Sequence, residues 1–158
     1  MDAPETDPCS ACLSRRSVLR AGATGATVAL LASLPVAGCM SGGASPSGPV
    51  AAGQVADIQI GTLKVIAGAS VILGRDPMGL YAMTQVCTHQ GQLVEVVTVA
   101  GVPALHCYGH GSDFTMNGAV THGPAGSPLE HFKVEVADDG SITIQGGTLV
   151  AATERTEV

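Results

Sequence analysis

Cys87-Thr88-His89-Gln90-Gly91 and Cys107-Tyr108-Gly109-His110-Gly111-Ser112 are the two stretches that decide what this chain can be. Each offers one thiol and one imidazole, and seventeen residues separate His89 from Cys107. Two cysteines and two histidines can bind a two-iron, two-sulfur cluster, with the cysteines on one iron and the histidines on the other. The same donors can also bind one zinc ion. The donor count alone therefore leaves both kinds of metal centre open.

The regions on either side of these runs have the pattern of short β-strands. Apolar and polar residues alternate, and turns that carry Gly or Pro, such as 75–79 and 138–140, separate the alternating stretches. No stretch after residue 50 has the apolar spacing of a helix. The pattern predicts an all-β sandwich or barrel, with both Cys/His runs in loops at strand ends. The predicted strands cover residues 55–60, 63–66, 70–74, 80–83, 93–99, 102–106, 132–136 and 141–144.

The size and charge of the chain limit the classes of protein that it can be. It has 158 residues and a formal net charge of −6, and only four of its seven basic residues follow residue 38. Because nucleic-acid binding requires clustered Lys and Arg, we expect no nucleic-acid partner. Of the five cysteines, only Cys87 and Cys107 lie in the predicted strand region, too few for a disulfide framework there.

The two Cys/His runs resemble the paired CxH and CxxH loops of the Rieske family. Gly91 and Gly111 each follow a histidine closely, as in the family pattern. The stretch Gly123-Pro124-Ala125-Gly126-Ser127-Pro128-Leu129 resembles the proline-containing loop that shields the cluster. The resemblance covers about residues 54–145. It implies a Rieske-like antiparallel β-sandwich or barrel with two cluster-binding loops.

The resemblance also implies a ligand set and a function. One [2Fe-2S] cluster per chain would be bound by Cys87 and Cys107 on the inner iron and by His89 and His110 on the outer iron. The chain would then transfer single electrons, and its sequence shows no independent catalytic site. The alternatives that remain open are a structural Cys2His2 zinc module and a soluble-type Rieske ferredoxin that serves an oxygenase.

Positions beside the ligands depart from the respiratory members of the family. Those proteins join the two loops by a disulfide, whereas Gln92 and Gly109 stand at the matching positions here. High-potential members use one Ser and one Tyr hydroxyl as hydrogen-bond donors; Ser112 matches the first, and Phe114 replaces the second. Because a lost donor destabilises the more negative reduced state, we expect a potential in the middle of the family range. The residues expected around the cluster are Gly91, Gly111, Ser112, Phe114 and Pro124.

Three histidines lie outside the expected ligand set. Strand alternation turns His106 away from the neighbouring ligand Cys107, which predicts a half-buried structural role. His122 and His131 flank the Gly-Pro loop, and both are expected at the surface.

Residues 1–38 resemble a bacterial export signal. Arg15 and Arg16 match the paired arginines of a twin-arginine signal, and a weakly apolar stretch follows at 21–36. That stretch is too short and too rich in Gly for a membrane-spanning helix, which needs about 20 apolar residues. The resemblance implies export of a folded protein, which suits a cluster that is inserted in the cytoplasm.

The segment after the signal resembles the start of a lipoprotein. Val36-Ala37-Gly38-Cys39 is similar to a lipobox, which implies acylation of Cys39 and a membrane anchor. An uncleaved signal anchor is the main alternative. Segment 39–53 is rich in Ser, Gly and Pro and predicts a flexible tether. The Rieske domain is expected at 54–146, with a C-terminal tail at 147–158.

The expected location and partners follow from these resemblances. Export and lipidation place the domain in the bacterial cell envelope, anchored to the membrane and facing the periplasm or the outside. Exported Rieske domains serve cytochrome bc-type complexes and molybdoenzymes of the arsenite-oxidase type. We therefore expect a subunit or partner of a respiratory or molybdoenzyme-type oxidoreductase, with a quinol- or substrate-oxidising donor and a cytochrome-like acceptor.

Overall fold

A computed structural model describes residues 43–158 of the chain. The expected export signal, with Arg15 and Arg16, and the expected lipidation site Cys39 lie outside the described residues. Within residues 43–158 the chain forms ten strands and one turn of 3-10 helix, Val55–Asp57. The strands are β1 (Pro49–Gln54), β2 (Thr62–Ile66), β3 (Val71–Asp76), β4 (Gly79–Thr84), β5 (Glu95–Val99), β6 (Val102–Cys107), β7 (Ser112–Thr115), β8 (Val120–His122), β9 (His131–Val136) and β10 (Ser141–Val150).

The strands form two antiparallel sheets. The larger sheet has the order β1-β10-β9-β4-β3-β2, and the smaller sheet has the order β5-β6-β7-β8. This architecture confirms the expected antiparallel all-β fold. The predicted hairpin at 93–106 is also confirmed, and its turn residues Ala100 and Gly101 both have positive φ, the geometry of a two-residue hairpin turn. Across residues 43–158, no helix has the length and apolar character needed to cross a bilayer.

The β3–β4 hairpin is buried on both faces and separates two apolar clusters. Because side chains of a strand point alternately to opposite faces, Val71 and Leu73 join one cluster while Ile72 joins the other. The first cluster fills the curve of the larger sheet, against β9 and β10. The second lies between the hairpin and the smaller sheet, and it includes Cys87 and Cys107. The two cysteines predicted as ligands are thus part of the apolar core.

The predicted strand at 55–60 is wrong, because residues Val55–Asp57 form the 3-10 turn. The chain leaves the sheet where the amide of Val55 donates to the carbonyl of Gly140 (3.0 Å). The guanidinium of Arg75 then donates to the carbonyls of Val55 (3.4 Å) and Ile58 (3.0 Å). A side chain from β3 therefore takes the place of a partner strand, which local alternation cannot reveal.

Both ends of the expected domain differ from the predicted boundaries. The predicted tether includes residues that form β1 and pair with β10. The predicted tail at 147–158 continues β10 to Val150 and then returns to the larger sheet, where Thr156 and Leu80 exchange two backbone hydrogen bonds of 2.9 Å. A compositional reading misses these contacts because β1 and β10, and likewise Leu80 and Thr156, lie more than seventy residues apart in the chain.

Candidate metal centre

Two loops of the same shape carry the four predicted donors. Ligand loop 1 (residues 85–94) connects β4 to β5, and ligand loop 2 (residues 108–111) connects β6 to β7. In each, the glycine amide four residues after the cysteine donates to the cysteine carbonyl: Gly91 to Cys87 and Gly111 to Cys107, both at 2.9 Å. Both glycines have φ +74°, where a side chain is strained. The chain therefore makes the same turn twice and presents one Cys and one His at each turn.

The two thiols meet in the apolar interior. Cys87 and Cys107 are each 2% exposed, and neither forms a disulfide. Burial and a hydrogen bond with Cys87 raise the pKa of the Cys107 thiol, although the backbone amides of Gly109 and His110, which donate to this sulfur, oppose that rise. Amide donors at a buried sulfur stabilise a thiolate, the form that binds metal.

The two imidazoles meet at the outer end of the same site. The ring centroids of His89 and His110 are 4.7 Å apart, and the rings are edge to face at 88°. The Nδ1 atom of His89 is buried and has no hydrogen-bond partner. Because a buried polar atom without a partner costs free energy, this nitrogen fits a metal ligand better than a structural histidine.

The four donors are arranged as two pairs. Among residues 43–158, no three His, Cys, Asp or Glu side chains are grouped as ligands of a single ion. Instead, thiol lies beside thiol in the core and imidazole lies beside imidazole toward solvent. A [2Fe-2S] cluster with two cysteines on one iron and two histidines on the other requires this division. The residues present therefore fit such a cluster.

A third loop closes the site over both ligand loops. In this proline loop (residues 123–129), the amide of Ala125 donates to the hydroxyl oxygen of Ser112 (3.2 Å), a residue with no exposed surface. The hydroxyl of Thr88 donates to the carbonyl of Ser127 (2.6 Å). Gly123 lies so close to ligand loop 2 that an added Cβ would be 2.5 Å from the Gly111 oxygen. Pro124 is exposed on the same loop.

The positions that correspond to the disulfide of respiratory members lie side by side. An added Cβ on Gly109 would be 2.0 Å from the Gln92 side-chain oxygen, so the Gln92 amide covers Gly109. The carbonyl of Gln92 also accepts a hydrogen bond from the amide of Cys87 (2.7 Å). Packing of a glutamine over a glycine thus joins the two loops where a disulfide is absent.

Sequence reasoning missed Thr88 and misplaced one histidine. Thr88 lies between two predicted ligands. Its hydroxyl at that position was the sequence signal that could have predicted a contact with the proline loop. His106 is half-buried as expected, with Nδ1 2.6 Å from the Asp113 carboxylate, and His122 is exposed. His131, expected at the surface, is 3% exposed, and burial lowers its pKa. The burial of His131 follows from its position in β9 opposite Met83, and no local sequence pattern predicts this pairing.

Comparisons with known proteins agree with this geometry. An antiparallel β domain in which two loops each present one Cys and one His is typical of an iron–sulfur protein. The sequence profile of the Rieske [2Fe-2S] domain matches residues 48–133, more than half of the chain. The chain therefore belongs to the Rieske [2Fe-2S] domain family, and its cofactor is a [2Fe-2S] cluster.

Similar proteins come from two settings. The cytochrome b6-f complex iron-sulfur subunit of Chlorobaculum tepidum is 33% identical over 97 residues, which are 60% of this chain and 52% of that protein. The chain thus spans about half the length of this relative. The ferredoxin of carbazole 1,9a-dioxygenase from Nocardioides aromaticivorans IC177 is 25% identical with a TM-score of 0.45, covering 63% of this chain and 98% of that one. A chain from the complex of reduced oxygenase and oxidized ferredoxin in carbazole 1,9a-dioxygenase has 24% identity, a TM-score of 0.47, and coverage of 66% and 98%.

Proposed function

We propose that this chain carries single electrons through a cluster held by Cys87 and Cys107 on the inner iron and by His89 and His110 on the outer iron. The pairing of the donors, thiol with thiol and imidazole with imidazole 4.7 Å apart, is the observation that carries this proposal. When bound, such a cluster accepts and releases one electron at roughly −150 to +300 mV. The protein's part is to bind it, to shield the sulfur side and to leave the histidine side open.

Burial differs between the two ends of the site, and this difference indicates which end would exchange electrons with a partner. Both cysteines are buried in the core, whereas His110 is exposed. An electron would therefore pass at the histidine end. Ser112, which pairs with Cys107 across β6 and β7, accepts from the Ala125 amide, and its own proton would be available to donate toward a bound cluster and so favour the reduced state.

The surface around the histidines is uncharged, so a redox partner could dock there without complementary charges. Ligand loop 1, ligand loop 2 and the proline loop contain no Asp, Glu, Lys or Arg. The rest of residues 43–158 carries ten acidic and four basic residues. Since charged residues are depleted where a partner buries the centre of an interface, this uncharged end is suited to close approach by a redox partner.

Spectroscopy of the purified protein tests the cofactor against the zinc alternative. We expect a brown protein with visible absorption that bleaches on reduction, and a Rieske-type electron paramagnetic resonance signal in the reduced state. Metal analysis should give two irons per chain. A colourless protein with one zinc per chain would instead establish the structural zinc module.

The potential should respond to a hydroxyl at position 114. Phe114 is 1% exposed and lies in the same apolar cluster as Cys87 and Cys107. In Phe114→Tyr, a new donor to the sulfur side would favour the more negative reduced state. A gain of 1–2 kcal/mol raises a one-electron potential by roughly 40–90 mV. Redox titration measures the shift, with Phe132→Tyr in the other apolar cluster as the control. An unchanged potential in a correctly folded Phe114→Tyr protein would contradict the role of this position.

We further propose that the chain is exported by the twin-arginine route and anchored through acylated Cys39. The support lies in the sequence: Arg15 and Arg16 before a short apolar stretch, and a lipobox that ends at Cys39. Two or more acyl chains hold a protein stably on a membrane, whereas one chain binds only marginally. The electron partner would then be a respiratory or molybdoenzyme-type oxidoreductase at the cell envelope. The similarity to a cytochrome b6-f subunit favours this over service to an oxygenase.

Cys39→Ser should release the domain from membranes. Removal of the acylated sulfur leaves no lipid on the chain, so after cell fractionation the variant should be found in the soluble fraction with its cluster intact. The wild-type protein should stay in the membrane fraction. Retention of Cys39→Ser in the membrane fraction would favour the uncleaved signal anchor instead.

A further inference from the structure

The segment before β1 is fastened to the ligand loops. In this N-terminal strap (residues 43–48), the amide of Gly43 donates to the carbonyl of Gly91 in ligand loop 1 (2.8 Å). At the other end, the amide of Gly146 donates to the carbonyl of Gly48 (3.1 Å). Between them, the hydroxyl of Ser45 is 2.9 Å from that of Thr84. The strap is therefore bound along its length, although its composition predicts a flexible tether.

Packing at both ends of the strap leaves no space for larger residues. An added Cβ on Gly43 would be 2.3 Å from Leu93 and 3.2 Å from Val86. An added Cβ on Gly146 would be 2.6 Å from the ring of Pro46. Small residues thus permit a close contact here and do not serve only as flexible spacers.

Chain length sets how far the anchor can lie from the ligand loops. Cys39 precedes Gly43 by four residues. Four residues span at most about 14 Å when fully extended, so a lipid on Cys39 would be tied to Gly43 by no more than about that length of chain. β1 then runs away from the strap, and its last residue, Gln54, pairs with Ser141 beside the β9–β10 turn. The six residues of β1 span about 20 Å, so this turn lies at the opposite end of β1 from the strap.

We infer that the strap holds the cluster end of the domain against the bilayer surface, with the β9–β10 turn pointing away from it. This inference rests on the proposed acylation of Cys39. A domain that swings freely would need a tether that makes no contacts up to the start of β1 at residue 49. Here the chain is instead bound to the domain from residue 43 onward. The electron partner must therefore present its own redox group at the membrane surface.

Depth measurements on vesicles test this orientation. A fluorophore is placed either at Gly126→Cys, in open space on the proline loop, or at Asp138→Cys, in the exposed β9–β10 turn. The acylated, cluster-loaded protein is reconstituted into phosphatidylcholine vesicles that carry a nitroxide on the headgroup. We expect several-fold stronger quenching of the label at position 126. A ten-residue Gly/Ser spacer between Met40 and Ser41 should abolish this difference.

The outcomes separate the inference from the proposal on which it rests. If the protein stays on the vesicles but both labels are quenched equally, the orientation is overturned and the lipid anchor stands. If the wild-type protein leaves the vesicles as readily as Cys39→Ser, the anchor and the orientation both fail.

Amide hydrogen exchange tests the strap itself without a membrane. In the soluble, cluster-loaded Cys39→Ser protein, the Gly43 amide should exchange more slowly than an amide in an unstructured peptide, because it donates to Gly91. Gly43→Leu should remove that protection from the strap, whereas Gly48→Leu, where no atom lies within 4 Å of an added Cβ, should keep it. Exchange of Gly43 at the unstructured rate in the Cys39→Ser protein would overturn the inference.

Discussion

Cys107→Ser should abolish cluster binding. Cys107 is one of the two buried thiols, and the amides of Gly109 and His110 donate to its sulfur. A serine hydroxyl stays protonated near neutral pH and cannot replace a thiolate ligand. The loss of cluster affinity should exceed the 10–100-fold loss of metal affinity that typically follows when a residue contacting a ligand is removed. Iron content and visible absorption of the purified variant measure it.

The control for this experiment is another cysteine of the same chain. Cys9 lies in the N-terminal segment, far from the two Cys/His runs in the sequence. Cys9→Ser should keep the full iron content and the spectrum of the wild-type protein. Full iron occupancy in Cys107→Ser would contradict the ligand assignment, and so would loss of iron in Cys9→Ser.

Arg155→Ala should destabilise the fold by about 3 kcal/mol, the loss expected when a largely buried ion pair is broken. The Arg155 side chain is 9% exposed, and its Nε donates to the Asp76 carboxylate (2.6 Å). It also donates to the side chain of Asn117 (2.8 Å) and to the carbonyl of Ala152 (2.9 Å). The guanidinium carbon lies 4.1 Å from the centre of the Tyr81 ring. Alanine would leave these groups without their shared partner.

The effect on Asp76 explains why this loss is large. Burial alone would raise the pKa of Asp76, but the hydrogen bond from Arg155 and the amides of Met78 and Gly79 together hold it below its ordinary value. Without Arg155, a partly buried carboxylate would lose its counter-ion. Burial also raises the pKa of Tyr81 to about 12, so its hydroxyl remains a donor to the Met116 carbonyl.

Urea unfolding of the cluster-loaded protein measures the free energy of unfolding. Arg155→Lys should recover only part of the loss, because an ammonium group cannot make the same set of planar contacts. Lys133→Ala is a matched control, since Lys133 and Glu135 form an exposed ion pair on β9 and such pairs contribute little. Equal unfolding free energies for Arg155→Ala and Lys133→Ala would show that the C-terminal segment does not stabilise the domain.

Several strands could be predicted from the sequence, and the four residues predicted as donors lie together at one site. β3, β4, β6 and β9 appear close to their predicted positions, because turns that carry Gly or Pro flank the first three, and β9 alternates between buried and exposed residues. The ligand runs were visible because a Cys and a His lie two or three residues apart in each. In contrast, the burial of His131 and the 3-10 turn at Val55–Asp57 depend on neighbours from other parts of the chain.

The sequence by itself determined the all-β class, the two Cys/His runs that predict the ligands, and the absence of a disulfide between the ligand loops. It could do so because these properties depend on residue type and short spacing. Only the tertiary structure decided that the donors form two pairs, that Gln92 covers Gly109, and that the chain is fastened from Gly43 to Arg155. These contacts join residues far apart in the chain. Composition predicts a flexible tether at 39–53, whereas hydrogen bonds to residues distant in the chain hold residues 43–48 and 151–156 on the domain.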